Sequence, residues 1–72
     1  MTTPKIRLKL ANRLRKLRAK YKLTQEQASE KMGLDSRYYQ RLESRKPPAV
    51  KIDTLEKLAK AFKVSCSKLL DF

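Results

Sequence analysis

Apolar residues recur along this chain at helical spacing. Leu10, Leu14, Leu17 and Tyr21 follow one another at steps of four, three and four, which predicts one buried stripe on a first helix from about 6 to 21. Leu8 and Ala11 widen that stripe. Thr24 and Gln27 have the spacing of a capping box, and Glu26 suits the first turn, so a second helix is expected over about 25–32. Ala28, Met32 and the stem of Lys31 are its candidate inner face. Gly33 is placed to end it, because glycine accepts a positive φ. Asp35 is the expected N-cap of a third helix over about 36–44, with Leu34 and Tyr39 at staple spacing and Tyr38, Tyr39 and Leu42 on its inner side.

Pro47-Pro48 forbids further helix. Asp53-Thr54-Leu55-Glu56 again has capping-box spacing, and Leu55, Leu58, Ala59 and Phe62 mark a fourth helix over about 54–62. Ser65 is the expected cap of a short fifth helix over about 66–71, with Val64 and Leu69 at staple spacing. The pattern predicts an all-α, compact five-helix bundle forming one domain over 1–72, with residues 1–5 as a flexible N-terminus.

Charge adds a partner to this picture. The chain has 72 residues, 19 Lys+Arg and 7 Asp+Glu, for a formal charge of +12. An excess this large in so small a domain points to a polyanion. Nine Lys/Arg lie between Lys5 and Lys22, before the first acid at Glu26. With no histidine and a single cysteine, Cys66, neither a disulfide within the chain nor the usual zinc finger is expected, and no metal or cofactor. A lone cysteine and an N-terminus without an apolar signal segment fit a cytoplasmic protein. Apolar runs never exceed two residues, so no membrane span is expected. Scattered carboxylates and the absence of histidine argue against an enzyme. No small-molecule ligand is expected.

Helices 2 and 3, joined by a tight turn, carry the candidate chemistry. Such a pair can hold its second helix in the major groove while the first braces across the backbone. Arginine matches guanine O6/N7 and glutamine matches adenine N6/N7. Arg37, Gln40 and Arg41 lie on the outer side of helix 3, with Ser36 at its start and Gln25 at the start of helix 2. The Gln25 amide can there touch a phosphate or a base edge. The same residues also suit an ordinary solvated helix face. Tyr38 is open between a core position and a phosphate contact.

The segment Leu23-Thr24-Gln25-Glu26-Gln27-Ala28-Ser29-Glu30-Lys31-Met32-Gly33-Leu34-Asp35 resembles the helix-turn-helix of the Xre/Cro/phage-repressor-like family. So do Arg37-Tyr38-Tyr39-Gln40-Arg41-Leu42-Glu43 and the run from Thr54 to Val64, and the likeness covers about residues 8–71. The family includes phage repressors, restriction-modification controller proteins and antitoxin-type autoregulators. It implies a lambda-repressor-like domain that binds double-stranded operator DNA, commonly as a dimer. By that resemblance Gln25, Ser36, Arg37 and Arg41, and less regularly Gln40, match base-contacting positions, Thr24, Tyr38, Ser44, Lys46 and Lys51 match phosphate-contacting positions, and Arg18 and Glu43 match a recurrent ion pair between helices 1 and 3.

The chain departs from the family pattern in three places. Ala28-Ser29 stands where a leucine followed by alanine is usual, leaving space for Tyr39. Arg45 replaces the glycine that commonly ends helix 3, where a positive φ would be costly, and it offers another cation for phosphate. Pro47-Pro48 with an apparent extra residue alters the following loop. The expected function is sequence-specific repression by a homodimer on a two-fold operator. Leu69, Leu70 and Phe72 form either the dimer seam or part of the core. An antitoxin-type partner protein, RNA association and a basic membrane-binding helix are the competing readings.

Overall fold

The computed structural model describes residues 3–72, and every described element is helical. The helices are α1 (Lys5–Lys20), α2 (Gln25–Met32), α3 (Ser36–Leu42), α4 (Ile52–Ala61) and α5 (Cys66–Leu69). Pro4 precedes α1, where its fixed φ and missing N–H suit a helix start. Lys5 is therefore helical, not part of a flexible arm; Met1 and Thr2 lie outside the described residues.

Side-chain caps open three of the helices. Thr24 Oγ1 accepts from the Gln27 N–H at 3.0 Å, and Gln27 Oε1 accepts from the Thr24 N–H at 2.9 Å, a reciprocal capping box. Asp35 accepts from the Arg37 N–H at 2.7 Å, and Ser65 from the Lys68 N–H at 3.1 Å. The fourth helix starts earlier than the Asp53 spacing predicts. Lys51 occupies its N-cap without a side-chain bond, and Asp53 falls in the first turn, where its charge complements the helix dipole.

Three helices among the described residues end in one backbone motif. After α1, the Lys22 and Leu23 N–H groups donate to the Ala19 and Arg18 carbonyls. Gly33 and Leu34 repeat this on Glu30 and Ser29, and Lys63 and Val64 on Lys60 and Ala59. This is the Schellman arrangement, with a left-handed residue followed by an apolar one that folds back on the core. Gly33 supplies the left-handed conformation at φ +67, but lysines supply it at Lys22 and Lys63, both at φ +55. Arg45, by contrast, has no positive φ. α3 ends at Leu42, shorter than the expected 36–44, and Glu43 leaves it at φ −93, so the missing glycine demands no strained backbone.

The core joins Leu10, Leu14 and Leu17 of α1 to Ala28 and Met32 of α2, Tyr39 and Leu42 of α3, and Leu58, Ala59 and Phe62. Leu8 and the Lys31 side chain, expected to help cover it, are exposed. Tyr21 caps the stripe from beyond the helix: its hydroxyl donates to the Phe62 carbonyl at 3.0 Å and its ring stacks on Phe62. The C-terminal apolar trio divides. Leu69 is 0% exposed and belongs to the protomer's own core, so it is not a dimer contact. The fifth helix ends there, not at 71, leaving Leu70 half-buried and Phe72 46% exposed under the Lys9 ammonium. No described helix is long and apolar enough to cross a membrane.

Candidate nucleic-acid interface

The turn between α2 and α3 is three residues long, Gly33-Leu34-Asp35. Each has a separate task. Gly33 reverses the chain, Leu34 packs against the core, and Asp35 caps α3. Tyr39 and Leu42, one turn apart, then anchor α3 from below and are essentially unexposed. On α2, Ser29 is buried, and its hydroxyl donates back to the Glu26 carbonyl at 2.7 Å. Ala28, at the position where the family has leucine, is buried as well, and this small pair leaves the inner face of α2 thin beside α3.

With its inner face held, α3 turns Arg37, Gln40 and Arg41 outward, all exposed and at spacings of three and four that share one side. Ser36 and Tyr38 are half-buried at the margins. Beyond α3, the Ser44 hydroxyl donates to the Arg41 carbonyl at 2.7 Å and accepts from the Lys46 N–H at 3.3 Å. That turn leaves Arg45 and Lys46 exposed, and Lys51 is exposed at the next helix start. Thr24 is exposed too, and the bond it accepts from Gln27 leaves its hydroxyl proton to donate elsewhere. From Ser36 to Ile52 the chain holds five cations and one acid, and that acid, Glu43, is buried. The outer surface of this stretch is thus uniformly positive.

Glu43 is the centre of a polar network beneath the surface. Arg18 grips it with two parallel bonds, Nε to Oε2 at 2.8 Å and Nη2 to Oε1 at 3.0 Å. The third guanidinium nitrogen donates to the Leu23 carbonyl at 3.0 Å. Arg15 donates to the Glu43 backbone carbonyl. Gln25 also enters the network: its Nε2 donates to Glu43 Oε1 at 3.2 Å. The amide expected to touch a base is therefore turned inward, tying the start of α2 to the end of α3. Hydrogen bonding to Glu43 raises the Arg18 guanidinium above its ordinary range, against the opposing effect of burial. Burial first, and then the Glu43 carboxylate, holds the Tyr39 phenol far above its ordinary value, so it stays neutral. Its buried hydroxyl sits beside the ion pair without a formed hydrogen bond.

The sequence alone overlooked Arg15 and Arg13. Arg15 precedes Arg18 by three residues and so shares its face, which was the available signal. Arg13 Nη2 donates to the Lys68 carbonyl at 3.0 Å, clipping α1 to α5. Among the described residues no group of acidic, cysteine or histidine side chains is placed to hold a metal.

A glycine-turned helix pair that keeps one short helix rigid, with its arginine and glutamine tips outward on a positive surface, defines a helix-turn-helix DNA-binding domain. A helix-turn-helix family model matches residues 14–69. The chain belongs to the Xre/Cro-like helix-turn-helix family and is, at that level, a DNA-binding transcription regulator with a lambda-repressor-like fold. No match was found among curated proteins or among solved structures.

Proposed function

We propose that the protein recognises a short two-fold operator as a homodimer and represses transcription in the cytoplasm by occupying the promoter. The observation that carries this reading is the disposition of α3. Tyr39 and Leu42 lock one side, and Arg37, Gln40 and Arg41 stand free on the other. In the major groove, Arg37 and Arg41 offer paired donors to guanine, and Gln40 offers a donor and an acceptor to adenine. Ser36 touches a base edge at the helix start. Thr24, Tyr38, Arg45, Lys46 and Lys51 grip phosphates on either side, and Ser44 holds the turn that presents Lys46. Gln25 remains bonded to Glu43 and sets the angle between the two helices.

RNA association is the weaker alternative. Tyr39 and Phe62 are fully buried, Tyr21 stacks on Phe62 and Phe72 lies under the Lys9 ammonium, so few aromatic faces are left for unpaired bases.

Selection from random duplexes, followed by footprinting, tests the proposal. A two-fold footprint with half-sites about one helical turn apart is expected. Arg41→Ala should cost about 1–3 kcal/mol and relax preference at one base pair per half-site. Lys46→Ala should weaken all sequences alike and lower the salt dependence by about one unit of slope. An Arg41→Ala protein with unchanged sequence preference would show that α3 is not the reading helix.

A further inference from the structure

The four lysines of α1, Lys5, Lys9, Lys16 and Lys20, recur with Asn12 at steps of four, three, four and four, and all five residues are exposed. At a rise of 1.5 Å per residue they form one row about 22 Å long. No acid stands in the first turn of the helix, and the first acid of the chain is Glu26. Among the described residues the ion pairs are Arg18–Glu43 and Lys60–Glu56, so none of the row is paired with an acid. Three of the four arginines of α1 point elsewhere and are bonded within the chain, Arg13 to Lys68 and Arg15 and Arg18 to Glu43. The helix thus has three sides. Leu10, Leu14 and Leu17 face the core, and Arg15 and Arg18 face the end of α3. At 3.6 residues per turn the lysines lie about 130° round the axis from either side.

Such a row lowers the stability of the free protein. Lys5 and Lys9, and Lys16 and Lys20, are like charges one turn apart and repel. Lys5 opens the helix against its dipole, and only Lys20, in the last turn, gains from it. Lys9 and Lys20 lie 6.0 Å and 5.7 Å from the ring centroids of Phe72 and Tyr21, whereas Lys5 and Lys16 have no such contact among the described residues. We propose that this row binds a second segment of duplex DNA, so that one chain holds one duplex on α3 and another along α1. The proposal needs only the DNA-binding class of the domain, not a two-fold operator. Lysines act as point charges and suit phosphates met without regard to sequence, whereas the arginine fork fixes a geometry. A duplex carries one phosphate charge per about 1.7 Å of its axis, so each lysine of the row finds one within reach. The direction of the row separates the two duplexes, because the side of α1 turned to α3 is that of Arg15 and Arg18. A bilayer would take the apolar side of the helix, and that side is the core. Protein interfaces are depleted in lysine.

Four phosphate contacts set the salt dependence. Counterion release gives a slope of about −3.6 in log K against log salt, a loss of about a hundredfold between 50 and 200 mM. The second duplex is therefore held loosely and without sequence preference.

The test fixes a duplex recovered by selection to beads, loads it with the protein and offers a labelled duplex of unrelated sequence. The natural chain should capture the second duplex with the salt slope given above. Lys5→Gln with Lys16→Gln should weaken capture by about tenfold or more and lower the slope by about two units, while Lys5→Arg with Lys16→Arg keeps both. Affinity for the bead-held duplex should be the same in all three chains. The glutamine variant should melt at the same Tm or a few degrees higher, since repulsion is removed and no bond is lost. Absence of capture by the natural chain at low salt would overturn the proposal. So would capture that survives the glutamine changes, because two recognition helices would then be holding the two duplexes. A parallel loss of affinity for the bead-held duplex would refute it by placing the row on the flanks of the first. Tighter binding to vesicles of anionic phospholipid, or to polyglutamate, than to the second duplex would refute it in favour of a membrane or an acidic protein.

Discussion

Removing either partner of the Arg18–Glu43 pair should destabilise the protein, but unequally. The Glu43 side chain is 1% exposed and the Arg18 side chain 25%. Arg18→Met strands a carboxylate that water cannot reach, with only the Gln25 amide left to bond it. A buried charge left in this way costs about 3–5 kcal/mol. Glu43→Gln strands the arginine instead, which already opens to solvent and keeps its bond to the Leu23 carbonyl. About 1–3 kcal/mol is expected there. A domain of this size has only about 4–11 kcal/mol of total stability, so the first variant approaches the limit of folding. Arg18→Met with Glu43→Leu removes both charges and should cost less than Arg18→Met alone. Urea denaturation followed by far-ultraviolet circular dichroism measures all three, and each kcal/mol also appears as about 4–8 °C in Tm. Equal losses in the two single variants, or a double variant worse than both, would mean that burial does not govern this pair.

Three smaller perturbations probe the frame around the site. Tyr39→Phe removes a buried hydroxyl that has no hydrogen bond, so stability should stay level or rise by about 1 kcal/mol; a loss above that would reveal a bond to the Glu43 network. Gly33→Ala meets no atom within 4 Å, so its cost should be that of the left-handed backbone alone, about 1–2 kcal/mol in a thermal melt. Lys63→Gly, at φ +55, should go the other way by up to about 1 kcal/mol, and a clear loss there would refute the strain argument.

The helix starts at Thr24, Asp35 and Ser65 were legible in the sequence because a cap bonds an N–H two or three residues away. The helix ends at Lys22 and Lys63 were harder to see. The familiar signal is glycine, whereas here the apolar Leu23 and Val64 mark the motif by folding back onto the core. The outward set Arg37, Gln40 and Arg41 was also legible, since helical spacing puts Tyr39 and Leu42 on the opposite side.

What local pattern could not decide was which distant group each versatile side chain meets. Gln25 has equal chemical claim to a base, a phosphate or a carboxylate, and only the arrival of Glu43 from the end of α3 selects the last. Leu69 and Ile52 are both apolar residues on short amphipathic helices. One is fully buried and the other 82% exposed because the packing of five helices leaves room inside for the first and none for the second. Bonds spanning a few residues determine where the helices begin and stop; contacts across the whole chain determine which of their faces are left for partners.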